Sequence, residues 1–276
     1  MTVLLAVAHG SRDKGSQQVV VDLLAAVSGL RQGLRAEAAY VDNASPSIRS
    51  ALASLVADGV NDVAVVPLLL TGASHSKTDV AGSVQAGRIA HPGLRLRYGR
   101  PLGPHPLLVE VLATRLAEAG VRDGDPVVLA AGGALDPDAN AQVAAVARLL
   151  WEGRAFASVD VAFASTTGPT VAQALERVRL LGFQRAAVAR YFLGPGRLPQ
   201  LVARAAAVPG MEVVVSAPLG AAPEVAQLLL ERYDEAVAGD IRMNCDACLY
   251  RVPFPGHEEA VGAAQQPHDH PDDTAP

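Results

Sequence analysis

Val3-Leu4-Leu5-Ala6-Val7-Ala8-His9-Gly10-Ser11-Arg12-Asp13 decides the fold. An uninterrupted apolar run stops at His-Gly-Ser. A short apolar run bounded by glycine and small polar residues reads as a strand buried on both faces, as in parallel sheets. His9 then stands where the strand's carboxyl end passes into the loop to the next helix, the place where open α/β sheets bind ligands. A histidine there can equally be held by a backbone carbonyl without chemical duty. Residues further along must separate the two readings.

Working outward, Ser16 is expected to cap a helix over 16–31 with Val19, Val20, Leu23, Leu24 and Val27 on one face. Residues 36–41 read as a second strand ending at Asp42-Asn43. Ser45 as cap and Pro46 as first helical residue open a helix that Asp58-Gly59 stops. Residues 62–70 form the third and most hydrophobic strand, running into Thr71-Gly72-Ala73-Ser74-His75-Ser76-Lys77, and a helix follows to about residue 90. A fourth strand near 94–98 and a helix from Pro106 to about 119 complete four strand-helix units. That rhythm is a parallel sheet with helices on both faces.

From Asp125 the rhythm repeats. At a constant offset of 123 residues His9 falls on Gly132, Gly10 on Gly133, Asp13 on Asp136, Pro46 on Pro169 and Gly59 on Gly182; after a six-residue shortening, Pro101-Leu102-Gly103 falls on Pro218-Leu219-Gly220. The chain is a tandem duplication: 1–122, 123–240, and a Cys- and His-containing tail over 241–276 whose end is expected to be disordered. The duplication is an internal control. Residues needed only by the fold recur in both halves, and the glycines and prolines do. The histidines do not: His75 becomes Leu198 and His105 becomes Ala222. Chemistry is therefore expected in the first half, while His105, flanked by prolines at a helix start, reads as a structural or rim residue.

The net charge of -5 argues against nucleic acid as a partner, and no apolar run approaches bilayer-spanning length. The first strand runs straight into its loop without a basic leader, so the expected location is the cytoplasm. Of the basic residues only Lys14 and Lys77 are lysines. No Walker or Gly-x-Gly-x-x-Gly loop occurs, and Ala8 stands where a phosphatase of the Arg-His-Gly type needs arginine.

His9, Asp42 and His75 all come to the carboxyl edge of one sheet. Two imidazoles and a carboxylate suit Fe(II), Co(II), Ni(II) or Zn(II) and leave coordination positions open; the same imidazoles accept protons near neutral pH. These residues carry a resemblance. The His9-Gly10-Ser11-Arg12-Asp13 strand end, Asp42 four residues before Pro46-Ser47-Ile48, and the segment from Pro67-Leu68-Leu69-Leu70 to Ser74-His75 resemble the class II chelatases that insert metal into sirohydrochlorin, in their long, duplicated form. The resemblance implies two α/β domains with a cleft between them. It also implies His9 and His75 as metal-binding and proton-accepting residues, with Asp42 at a place where relatives commonly carry Glu. Fe(II) for sirohaem is the first expectation and Co(II) for the cobalamin route the second, with no cofactor needed for the chemistry. Ser11, Arg12, Lys14, Ser74, Ser76 and Lys77, around the starts of helices, are the expected partners of the substrate's carboxylates.

In the tail, Met243-Asn244-Cys245-Asp246-Ala247-Cys248 is similar to a motif of long-form chelatases linked to an iron-sulfur cluster. Two thiolates do not complete a four-sulfur site, so a cluster or zinc at Cys245 and Cys248 requires a second chain or other ligands. Monomer and homodimer both stay open. A competing reading is a metallochaperone or metal sensor that uses the same histidines without releasing a metallated tetrapyrrole.

Overall fold

The computed structural model describes residues 2–241, 250 and 258–263. The tail residues Cys245 and Cys248 lie outside them. The first repeat runs β1 (Val3–Ala8), α1 (Lys14–Leu30), β2 (Ala36–Tyr40), α2 (Ile48–Ala57), β3 (Asp62–Pro67), a π-helical turn (His75–Val80), α3 (Ala81–Ala90), β4 (Arg95–Tyr98) and α4 (Pro106–Glu118). The second runs β5 (Val127–Ala131), α5 (Pro137–Trp151), β6 (Val159–Phe163), α6 (Val171–Leu180), β7 (Arg185–Arg190), α7 (Arg197–Ala205), β8 (Glu212–Val215) and α8 (Pro223–Ala238). Each repeat makes a four-stranded parallel sheet, in the orders β2-β1-β3-β4 and β6-β5-β7-β8. Among the described residues no helix is long and apolar enough to cross a membrane.

β1 is central in its sheet and buried along its whole length. Its alternate residues Val3, Leu5 and Val7 meet Ile48, Leu52 and Leu55 of α2 and Val84 of α3 in one core. A fully buried Leu or Val contributes roughly 1.5–3 kcal/mol, so this layer fixes the register that carries His9 to the sheet edge.

Several local boundaries differ from the sequence expectations. α1 begins at Lys14, capped by Asp13 rather than Ser16: the carboxylate accepts from the Gly15 amide at 2.8 Å and the Ser16 amide at 3.4 Å. α2 is capped by Ser47, not Ser45, because residues 46–47 are held against β2. Tyr40 N donates to Pro46 O at 3.0 Å, and Tyr40 and Ser47 form an isolated bridge. β3 stops at Pro67, opposite Val7 of β1, short of the expected residue 70. The second repeat reproduces the first two features at its equivalent positions, with Asp136 and Thr170 as caps and Phe163 N donating to Pro169 O.

The described residues pack into two compact units, one within Met1–Leu102 and Ala226–Pro276, the other within Gly103–Val225. The sequence repeats and the packing units are thus differently composed. The first sheet is covered by α8 from the second repeat, and the second sheet by α4 from the first. Equivalent arginines pin the two helices. Arg232, 1% exposed, donates to Pro101 O at 3.0 Å and Leu102 O at 2.9 Å. Arg115 donates to Leu219 O at 3.0 and 3.2 Å.

Candidate active site

β1 ends at Ala8 and the chain turns at Gly10, which has φ +99°. A Cβ at Gly10 would lie 1.6 Å from the Asp42 carbonyl oxygen. The loops after β1 and β2 are therefore in direct backbone contact, and His9 O accepts from Asp42 N at 2.9 Å. Gln17 Nε2 donates to Ser11 O at 2.7 Å and steadies the far side of the loop. So held, His9 projects its imidazole outward and is exposed.

His75 opens the π-helical turn that follows the loop after β3. Its Nε2 lies 3.0 Å from His9 Nε2, and the rings meet edge to face with centroids 4.3 Å apart. Each ring's other nitrogen lies beside an oxygen: His9 Nδ1 is 3.3 Å from Gly10 O, and His75 Nδ1 is 2.6 Å from Asp79 Oδ2. Asp79 is 2% exposed, and its Oδ1 accepts from Thr78 Oγ1 at 3.2 Å. Tyr98 donates its hydroxyl to Ser76 O and ties the turn to β4; burial first, and the nearby Asp79 charge second, push the phenol well above its ordinary pKa, so it stays a neutral donor.

The structure brings His9 and His75 together, as the sequence reading required. Asp42 stands beside His9 through its backbone, with its own side chain buried. Among the described residues no group of three or more His, Cys, Asp or Glu side chains is placed to hold a metal ion, and the two imidazoles meet as a pair. Ser76 is also buried, and its hydroxyl donates to Ala73 O at 2.9 Å; it closes the turn rather than facing a ligand. At the start of α1 the Gly15 and Ser16 amides are taken by the Asp13 carboxylate. Arg12, Lys14 and Ser74 are exposed, Ser11 and Lys77 half-buried. His105 caps α4, its Nδ1 accepting from Leu107 N at 3.2 Å, which gives it the structural duty expected. Sequence reasoning missed Asp79. The available signal was its position four residues after His75, which on a helix places the two on one face.

The second repeat shows the same architecture without the histidine pair. Gly133, with φ +87°, lies against Ser165 O as Gly10 lies against Asp42 O. Where His9 and His75 meet in the first repeat, a Cβ at Gly132 would find Leu198 Cδ1 at 3.5 Å and Phe192 Cε1 at 3.9 Å. Apolar contact has replaced the polar pair. Gly132→Ala and Leu198→Ala are expected to keep metal insertion within about twofold of the parent, at a stability cost of about 1 kcal/mol or less; initial rates and thermal melts check this.

A family model described as CbiX matches residues 3–119 and again residues 126–236. The chain is 31% identical to the sirohydrochlorin cobaltochelatase of Priestia megaterium, over 93% of this chain and 87% of that protein. It is 28% identical to the sirohydrochlorin ferrochelatase of Bacillus subtilis (strain 168), over 85% of this chain and 92% of that protein. Among solved structures it is similar to SirB from Bacillus subtilis with Fe3+, with a TM-score of 0.74, 28% identity, and coverage of 87% of this chain and 97% of that one. SirB from Bacillus subtilis subspecies spizizenii in complex with cobalt follows with a TM-score of 0.70, 26% identity and the same coverage. With one copy of the family pattern on each sheet, and the histidine pair on the first, the chain belongs to the CbiX family of class II chelatases, in its long, internally duplicated form.

Proposed function

We propose that this chain inserts a divalent metal ion into sirohydrochlorin, with His9 and His75 holding the ion and accepting the displaced protons. The observation that carries the reading is the meeting of their Nε2 atoms at 3.0 Å. Imidazole nitrogens bind zinc, and comparably sized ions, at about 2.0–2.1 Å, and two such bonds at about a right angle put the nitrogens about 3 Å apart. The pair is spaced for adjacent positions on one ion, and the remaining positions are left to water and the incoming substrate.

Insertion exchanges ions. Two pyrrole N–H protons leave the macrocycle as one divalent cation enters, so charge balances without electron transfer or a nucleotide. When the metal passes from the imidazoles to the ring nitrogens, both Nε2 lone pairs become available, and each takes one proton. Exposure of His9 gives the pair its access to the ring face. Arg12, Lys14 and Lys77, with Ser11 and Ser74, are proposed to receive carboxylates at the rim of the substrate.

Fe(II) is the first reading of the metal. Co(II) is the second, favoured by the 31% identity to a cobaltochelatase, and imidazole ligands accept both ions. An anaerobic spectrophotometric assay of purified protein with sirohydrochlorin, run with Fe(II), Co(II), Ni(II) and Zn(II) in turn, tests both points. Turnover above the protein-free rate is expected with Fe(II) or Co(II), and the rate ranking selects between them. Tight metal binding with insertion no faster than the protein-free control would replace the enzyme reading with the metallochaperone or sensor.

A further inference from the structure

The geometry points to Asp79 as a positioning residue that locks His75 in the Nδ1–H tautomer and so aims the Nε2 lone pair at the metal. This rests on the reading of His75 as a metal-holding residue.

The two repeats show how the carboxylate is put there. In the second repeat Leu198, the counterpart of His75, lies in the α-helix α7, and four residues later Val202 is fully buried in the core. In the first repeat the residue four places after His75 is Asp79, and the buried valine, Val80, comes five places after. The π-helical turn holds the extra residue. An α-helix at this place would have to choose between a core residue and a carboxylate behind His75; the widened turn accommodates both. Single π turns of this kind are rare in ordinary helices and gather at functional sites. The carboxylate and the histidine are also absent together from the second repeat, where apolar residues occupy the corresponding helix face.

At 2.6 Å the contact between His75 Nδ1 and Asp79 Oδ2 is a short, charge-assisted hydrogen bond. A carboxylate accepts and does not donate, so the proton of the neutral ring resides on Nδ1 and Nε2 keeps its lone pair. Thr78 Oγ1 lies 3.2 Å from the other carboxylate oxygen, sharing its one proton with Ser74 O at 2.6 Å, and Tyr98 anchors the turn through Ser76 O. Asp79 is buried, with its Oδ2 against His75 Nδ1. Second-layer carboxylates of this kind orient an imidazole and fix its tautomer, and their loss typically costs about 10–100-fold in metal affinity or activity.

The experiment compares the full-length protein with Asp79→Ala, Asp79→Asn and His75→Ala. Histidine side-chain 15N–1H spectra, recorded in mildly alkaline, metal-free buffer and assigned with His75→Ala, report the tautomer. Titration with Co(II) alone reports affinity, and steady-state insertion reports kcat and KM. The parent is expected to show His75 as Nδ1–H. Asp79→Ala should move the ring toward Nε2–H, weaken Co(II) binding by about 10–100-fold and lower kcat by a similar factor, with KM for sirohydrochlorin nearly unchanged. Asp79→Asn, whose amide oxygen can still accept the Nδ1 proton, should recover the tautomer and part of the affinity; it also serves if the alanine variant does not fold. An Nε2–H ring in the parent, or unchanged tautomer and Co(II) affinity in both variants, overturns the proposal. Should His75→Ala itself bind Co(II) as tightly as the parent, the metal-holding role of His75 fails, and the tautomer spectra still report on Asp79 independently.

Discussion

Replacing His9 or His75 with alanine is expected to lower metal insertion by at least about 10²–10⁴-fold while the protein stays folded. A positioned acid-base group is worth that much by itself, and each substitution also removes one of the two nitrogens that meet at 3.0 Å. The remaining imidazole has no neighbour with which to share an ion, and one of the two displaced pyrrole protons loses its acceptor. Stability should barely change for His9, which is exposed and lies past the end of β1; surface substitutions of this kind usually fall within about 0.5 kcal/mol. His75 contributes a hydrogen bond to a buried carboxylate, so its removal should cost about 1–3 kcal/mol, still compatible with a folded chain. Insertion rates with saturating metal, together with thermal melts of each variant, separate loss of chemistry from loss of fold. Full activity in His9→Ala would end the proposed role of the pair.

The second large effect concerns backbone. Gly10→Ala should destabilise the protein by several kcal/mol, beyond the range of about 0.5–3 kcal/mol typical of single substitutions. The new methyl would sit 1.6 Å from the Asp42 carbonyl oxygen, inside any non-bonded distance, at a φ of +99° that side chains rarely adopt. Relief requires the loops after β1 and β2 to separate, which breaks the His9 O to Asp42 N bond and displaces His9 itself. Activity should fall with stability. Gly59→Ala is the control: its φ is +79°, but nothing lies within 4 Å of the added carbon, so only the conformational cost of about 1 kcal/mol applies. Chemical denaturation of both variants measures the difference. A Gly10→Ala protein as stable as Gly59→Ala would mean that the two loops are not packed as described.

Much of the fold was legible because buried parallel strands write themselves as apolar runs. β1, β2, β3 and their second-repeat counterparts sit where those runs lie, and the offset that pairs Gly10 with Gly133 and Asp13 with Asp136 pairs the same backbone features in space. Boundaries were less legible. Asp13, Ser16, Ser45 and Ser47 are all competent caps by residue type; Asp13 caps through its own bonds to the Gly15 and Ser16 amides, and the bridge from Tyr40 to residues 46–47 chose Ser47. In the site, His9 and His75 were legible from the contrast between repeats. Asp79 was not, because an aspartate four residues after a histidine is common on solvated helix faces and the spacing does not show that this one is buried behind the ring.

By itself the sequence determined the two parallel sheets, the duplication, and the repeat that keeps the histidines, since each follows from periodicity or from comparing equivalent positions. Tertiary structure alone decided that His9 and His75 meet through their Nε2 atoms, that Ser76 turns inward, and that each sheet is completed by the other repeat's last helix. The last point has a plain physical reason. Arg115 and Arg232 are equivalent, as are the Pro-Leu-Gly loops they grip, so every local signal fits either pairing equally well. Only long-range packing, in which an arginine finds carbonyl oxygens more than a hundred residues away in the chain, distinguishes them.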